Sequence, residues 1–426
     1  MDGALGGIGI IHYNNTIEAQ CEMVKRVKNF ENGFISNPLT KGQNELIGTL
    51  KGCKYTNIPI TENGKLIGLL TTYDFSFEKH SNLPIKERMK PLKQLTVATI
   101  DEISFNNKLN LSKANDILLE NSCTSLPIID ENGVLKYLVT RKDIETNSDY
   151  PLATKDSHKK LMVGAAVGTQ EEDKKRVDAL AKVGVNAIKI DSAHGHTSYQ
   201  IEMIKYIKKK YPEIDILSGN VVTSVAVKNL AEAGVDAICC GMGIGSICIT
   251  QEVTATGRAQ ASAIYATAEE AKKYNIPVIA DGGIAQSGQI LKAWILGADT
   301  CMLGNMLAGT DESPGEWIIT ANGEKFKEYR GMGSYEAMKE GSAKRYSVNM
   351  AKEKAAEGVV AQVQTKGHIY DFIQTITAGI KQGLIKIGCK NLEEIKEKNR
   401  KEKIRVELRT ASAQSEGNVH DLIMIK

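Results

Sequence analysis

The chemistry of this chain is concentrated in one short run, Gly241-Met242-Gly243-Ile244-Gly245-Ser246-Ile247-Cys248-Ile249-Thr250-Gln251. Alternate glycines let the backbone take left-handed torsions and bring main-chain groups close to a ligand or an ion. A cysteine presented by such a loop is a credible nucleophile, because exposed thiolates attack electrophilic carbon well. Cys21, Cys53, Cys123, Cys239, Cys240, Cys301 and Cys389 lack that setting and read as small core residues. Asp281-Gly282-Gly283 and Gly304-Asn305 point to a phosphate. Main-chain N–H groups would hold it there, while the Asp281 carboxylate would accept hydrogen bonds from ribose hydroxyls. A sugar phosphate with its ribose in this corner is the simplest substrate fragment. Asp191-Ser192-Ala193-His194-Gly195-His196 is a further polar loop, whose two histidines supply at most two metal ligands, too few for zinc.

Each loop follows a short apolar run. The runs are Leu161–Gly168, Val185–Asp191, Ile214–Asn220, Val235–Gly241, Pro277–Gly283 and Ala298–Asn305. Amphipathic stretches such as Glu171–Val183 and Ser224–Ala233 separate them, and Gly184, Gly234 and Gly297 close helices ahead of the next strand. Apolar strands alternating with helices predict a parallel sheet buried on both faces. A further strand is expected at Gly7–Tyr13, with its helix at Thr16–Phe30. The fold class is therefore α/β, a TIM (β/α)8 barrel whose site loops lie at the C-terminal ends of the strands. Seven strands are visible. Residues 1–7 read as the tail of a helix, so the first strand of eight is expected to be missing, which leaves two sheet edges.

The domains expected are residues 1–35 as the first part of the barrel, 36–150 as an insertion, and 151–426 as the rest. Within the insertion, Ile58-Pro59-Ile60 through Asn63-Gly64 to Thr71 recurs as Leu126-Pro127-Ile128 through Asn132-Gly133 to Thr140. Each copy predicts a hairpin about an Asn-Gly turn, followed by Asp74 or Asp143 at the start of a short helix. The pair resembles a tandem of CBS modules, which often bind adenine nucleotides. Adenine or guanine nucleotides are the ligands this implies, against a purely structural insertion.

The cysteine loop, Asp281-Gly282-Gly283, the run Glu328-Tyr329-Arg330-Gly331-Met332-Gly333-Ser334 and the inserted repeat together resemble the inosine 5′-monophosphate (IMP) dehydrogenase family. The resemblance covers nearly the whole chain. It implies that Cys248 adds to C2 of the purine, that hydride passes to NAD, and that water hydrolyses the thioimidate to xanthosine monophosphate (XMP). Ser246, Asp281, Gly282, Gly283, Gly304, Asn305, Tyr329, Arg330, Gly331, Met332, Gly333 and Gln364 would hold IMP. Asp191, Ser192, Ala193, Asn220, Gly241, Met242 and Gly243 would lie against the cofactor, with Tyr199 either stacking on its adenine end or packing at a helix start. Residues 308–355 would form a mobile flap carrying Arg345 and Tyr346, with Arg345 as the base for water, assisted by Tyr346 and Thr250. A guanidinium stays protonated to very high pH, so that base would act from a small neutral fraction. The resemblance also implies a potassium ion on the carbonyls of Gly243, Gly245 and Cys248. Glu416, Gly417 and Asn418 of a neighbouring copy would complete the site, and with it a homotetramer.

The sequence departs from the family pattern in places. Ile244 replaces a smaller residue or proline, and Asn305 stands where serine is usual. Cys239 stands where a basic residue is common, so a cation near the site is expected to be lost, and Asn418 takes a glycine position. GMP reductase shares the barrel and the cysteine loop but usually lacks the insertion and the Arg-Tyr pair. A non-catalytic nucleotide-sensing relative is the other alternative. Composition narrows the field further: 54 Lys and Arg against 51 Asp and Glu leave a net charge of +3, no polyelectrolyte surface for nucleic acid or membrane. The apolar runs are too short to span a bilayer, and no secretory leader is apparent. Eight cysteines without a C-x-x-C pair fit free thiols in a reducing, cytoplasmic setting.

Overall fold

The computed structural model describes residues 2–29, 33–36, 38–53, 55–105, 108–157, 160–343 and 355–419. Among them, Gly9–Ile11, Val163–Val167, Ala187–Asp191, Asp215–Val221, Ala237–Cys240, Val278–Asp281 and Thr300–Met302 form one sheet in that order. The pairings are parallel, with register such as Ile188 opposite Ile216 and Cys239 opposite Ile279. All seven expected strands are present; six are shorter than their apolar runs, and Asp215–Val221 matches the length of its run but lies one residue further on. Val163–Val167 and Ala237–Cys240 are buried at every position, as strands covered on both faces must be.

The helices between them start and stop where side chains satisfy their ends. Thr197 and Thr223 accept hydrogen bonds from the N–H groups of Gln200 and Ala226, capping Ser198–Lys210 and Ser224–Ala233. Gly184, Gly234 and Gly297 take φ of +82°, +99° and +108°, ending their helices in the left-handed region. Ser224–Ala233 buries Ala226, Val227 and Leu230, so truncating Leu230 to alanine would cost about 2–5 kcal/mol.

Contacts divide the chain into two compact units: Met1–Ile11, Ile17–Ala165 and Ala179–Asn186 in one, His12–Thr16, Ala166–Asp178 and Ala187–Lys426 in the other. The first unit holds the repeat. Asn57–Glu62 pairs antiparallel with Lys65–Thr71, and Ser125–Ile129 with Leu135–Thr140. Each hairpin has its own core, around Ile60, Leu70 and Ile85 in one and Leu118, Leu126 and Ile128 in the other. The two Asn-Gly turns dock on each other, Leu66 N–H donating to the Gly133 carbonyl and Leu135 N–H to that of Gly64. Asp74 closes a turn of its own, accepting from Thr71 N–H and Oγ1 at 2.7 Å each.

In the second unit, residues 308–343 are more regular than a long loop. Trp317–Ile319, Lys325–Arg330 and Val360–Gln364 form an antiparallel sheet, and Tyr335–Lys339 is a short helix. Its strands are short and half exposed, so no long apolar run advertises them. One buried charge anchors the sheet: Lys327 Nζ donates to the carbonyls of Thr310 and Ser313 at 2.9 and 2.6 Å and lies 4.3 Å from the Trp317 ring centre. Arg345 and Tyr346 lie outside the described residues. The helices Ile369–Lys386, Leu392–Arg400 and Ala411–Glu416 follow. Ile404, Val406 and Leu408 alternate as a strand would, but no neighbouring strand among the described residues pairs with them.

Candidate active site

The cysteine loop leaves the C-terminal end of Ala237–Cys240, inside the second unit. Gly241 has φ +143°, and a Cβ there would stand 1.9 Å from the Asp281 carbonyl oxygen. Gly243 has φ +72°, whereas Gly245 needs no left-handed torsion. Cys248 is half-buried, its Sγ 3.1 Å from Thr250 Oγ1. That hydroxyl donates to Glu357 Oε2 at 2.9 Å. Glu357 is held by its backbone, its N–H donating to the Gly333 carbonyl and its own carbonyl accepting from Ile249 N–H. Thiol, hydroxyl and carboxylate thus form a line along which a proton can pass. Burial sets the other thiols nearby apart: it pushes Cys239 and Cys240 up to about 11 and Cys301 up to about 12.

A second line of polar groups runs beside the first. Lys189 Nζ donates to Asn220 Oδ1 at 3.0 Å and lies 3.6 Å from Asp191 Oδ1. Asn220 Nδ2 donates to Asp281 Oδ2 at 2.8 Å and to the Gly241 carbonyl at 2.9 Å. The cation expected to be missing at Cys239 is therefore present on another strand. Burial and the Asp281 charge push the Tyr329 phenol up, against the opposing pull of its hydrogen bond with Ser246. A Cβ on Gly304 would stand 2.9 Å from the Tyr329 hydroxyl. Ser246, Asp281, Gly304 and Tyr329 are thus gathered in one corner. Ile244 fills the space over the glycine pair, its Cδ1 2.8 Å from a Cβ built on Gly282 and 3.2 Å from one on Gly283.

The remaining predicted residues are less uniform. Arg330 is engaged in an ion pair with Glu340, so its charge is directed there. The carbonyl of Met332 accepts from Ser342 Oγ, and Gly331 lies close against the Ile247 carbonyl. Gly304 and Asn305 begin the short helix Asn305–Ala308, and the Asn305 carbonyl accepts from Lys366 Nζ at 3.3 Å. Gln364 is exposed, near Glu324. Ser192 Oγ bonds Gln200 Oε1 at 2.6 Å, and Gln200 Nε2 donates to Ser218 Oγ and the Gly219 carbonyl, which ties the Asp191–Ala193 loop to the next strand. His196 Nε2 is 2.7 Å from Asn229 Nδ2. Tyr199 is exposed rather than packed at its helix start, and Met242 is buried. The carbonyls of Gly243 and Gly245 accept from Gln251 Nε2 and Cys248 N–H, and each oxygen keeps a second lone pair. Glu416, Gly417 and Asn418 are exposed at the end of the tail, and Asn418 takes no positive φ.

Glu357 and Lys189 are the two groups that sequence reasoning did not find. A half-buried thiol beside a polar corner, on the C-terminal rim of a parallel α/β sheet, is the arrangement of an enzyme's active site. The family model for the IMP dehydrogenase / GMP reductase domain matches residues 3–420, and the chain belongs to that family. It is 43% identical to the inosine-5′-monophosphate dehydrogenase of Schizosaccharomyces pombe, over 97% of this chain and 80% of that protein. Inosine-5′-monophosphate dehydrogenase 2 of Arabidopsis thaliana is 40% identical, over 99% and 84%. A single-residue variant of the GMP reductase of Trypanosoma brucei, solved in complex with guanosine 5′-monophosphate, superposes with a TM-score of 0.84 at 32% identity, over 99% of this chain and 88% of that one. That match spans the inserted repeat as well, so the insertion does not separate dehydrogenase from reductase. No helix among the described residues is long and apolar enough to cross a membrane.

Proposed function

We propose that the chain oxidises IMP to XMP with NAD, a step of guanine nucleotide synthesis, through a covalent bond between Cys248 and the purine. The observation that carries this reading is the line Cys248–Thr250–Glu357 beside the corner of Ser246, Asp281, Gly304 and Tyr329. The corner suits a ribose phosphate: Asp281 accepts from the ribose hydroxyls, while the N–H groups about Gly283, Gly304 and Asn305 and the Tyr329 hydroxyl donate to phosphate. With the nucleotide so held, Cys248 Sγ forms a bond to C2, its proton leaving through Thr250 toward Glu357. NAD, when bound, supplies the acceptor for the C2 hydride, and Asp191, Ser192 and Asn220 offer polar groups to its ribose and amide. Water then breaks the carbon–sulfur bond, giving XMP and the free thiol, with Arg345 and the Thr250–Glu357 pair as the two routes for its proton. A potassium ion would rest on the carbonyls of Gly243, Gly245 and Cys248, and on Glu416, Gly417 and Asn418 of a neighbouring copy, within a homotetramer. The inserted repeat is read as a tandem CBS module for purine nucleotides.

A second reading has its own support. The likeness to a GMP reductase extends over the whole chain, so reductive deamination of GMP is the alternative. The Arg345-Tyr346 pair argues for the dehydrogenase. The test is NADH formation from IMP and NAD with potassium, run beside NADPH consumption with GMP. NADH formation and a purine adduct on Cys248, both lost in Cys248→Ala, are the expected results. NADPH consumption alone would establish the reductase, and neither activity with retained nucleotide binding would leave the sensor.

A further inference from the structure

Lys189 sits within Ala187–Asp191 with 4% of its surface exposed, a buried ammonium to which the reaction above gives no task. Its Nζ meets Asn220 Oδ1 at 3.0 Å and Asp191 Oδ1 at 3.6 Å. The amide carries the line onward, Nδ2 donating to Asp281 Oδ2 at 2.8 Å. An ammonium has donors only and a carboxylate acceptors only, so an amide bridging them has one orientation, oxygen toward Lys189 and nitrogen toward Asp281. Without the ammonium the Asn220 oxygen loses its donor, and only the acceptors Asp281 and Gly241 still hold the amide, by its nitrogen. The link from Asn220 to Asp281 is then held from one end only, and the half-buried Asp191 loses the cation beside it.

We propose that Lys189 is a positioning residue of the nucleotide site, fixing the Asn220 amide and through it the Asp281 carboxylate that takes the ribose hydroxyls. The inference deepens the function proposed above and rests on it. The adjoining interior supplies a check. The Cys239 thiol is fully buried and lies within reach of the charges of Lys189, Asp281 and Asp191. A cation carried at position 239 would therefore face the same carboxylates.

The experiment compares the full chain with Lys189→Met, Lys189→Arg and the double variant Lys189→Met/Cys239→Arg, by steady-state kinetics in IMP. Lys189→Met should raise KM for IMP about tenfold while kcat moves less than about threefold, the pattern of lost binding common to ground and transition states. Lys189→Arg should keep KM within about threefold of the parent, and Cys239→Arg should recover most of what Lys189→Met loses. An unchanged KM in Lys189→Met, a loss confined to kcat, or a loss that neither arginine restores would overturn the proposal. If Lys189→Met does not fold, Asn220→Ala breaks the same link with the ammonium kept, and it must raise KM likewise; an unchanged KM there overturns the proposal too. A parent chain that neither oxidises nor binds IMP removes the proposed function, and this inference with it. Normal parent turnover with an indifferent Lys189→Met removes this inference alone.

Discussion

At the scale of single residues, reactivity here is decided by exposure. Cys239, Cys240 and Cys301 have thiols pushed up to about 11, 11 and 12 by burial, so at pH 8 they remain protonated and slow toward an alkylating agent, and Cys239 and Cys240 are also out of its reach. Limited iodoacetamide treatment at that pH, read by peptide mass spectrometry, should therefore label Cys248 ahead of all three, and IMP should protect it. Labelling of Cys301 before Cys248 would contradict the assignment. Glu357 allows a second test. An Arg345 route for water's proton needs a neutral guanidinium, whose population falls tenfold per pH unit as pH drops, and a carboxylate route does not wait on that. In Glu357→Gln, log kcat should fall with lowered pH at a slope approaching one, while the parent profile stays flatter. Parallel profiles would remove Glu357 from the proton path. Cys248 and Asp281 were legible in the sequence because glycines flank them, and glycine beside a reactive side chain has a local meaning. Glu357 and Lys189 were not, because their partners lie 107 and 31 residues away and only the fold brings them together.

At the scale of elements, the strands and helices carried their own signals. Val163–Val167 and Ala237–Cys240 are continuous apolar runs because both faces are covered, and the Asn63-Gly64 turn takes φ of +52° and +80° as its hairpin requires. The sheet of Trp317–Ile319, Lys325–Arg330 and Val360–Gln364 escaped because its strands are short and half exposed and its central strand buries a lysine. The cysteine loop also makes a mechanical prediction. At Gly241 a methyl group would meet the Asp281 carbonyl oxygen at 1.9 Å, backbone against backbone, on a residue with φ +143°. At Gly245 it would meet Cys248 Cβ at 3.5 Å, an ordinary contact, and no positive φ is needed. Gly241→Ala should thus destabilise by about 3 kcal/mol or more, combining torsional strain with displacement of the Asp281 strand, and should weaken IMP binding. Gly245→Ala should stay within about 1 kcal/mol. Urea unfolding of the two variants checks the contrast; equal losses would mean that the tight packing of Gly241 on Asp281 is not what holds the loop.

At the scale of the whole molecule, the tail after Leu392–Arg400 is the part least explained by its own chain. Val406 and Leu408 are exposed on a segment whose sequence alternates as a strand would and which, among the described residues, has no strand beside it. The helix Ala411–Glu416 beyond it has no buried residue. Leaving apolar side chains in water is unfavourable and an unpaired backbone edge is free to pair, and a neighbouring copy would answer both. A potassium ion on the carbonyls of Gly243, Gly245 and Cys248, as proposed, would have only three oxygens from them and would need a second set, for which the tail of another copy is the proposed source. Assembly and cation response should then fall together. Light scattering should return four times 46.4 kDa for the full chain, and replacing potassium by a large organic cation should lower kcat about tenfold or more with the tetramer intact. Removing residues 404–426 should abolish that potassium dependence, because the truncated chain supplies only half the cage. A truncated enzyme that still responds to potassium like the parent would show that the ion is held within one chain, and the tail would need another explanation.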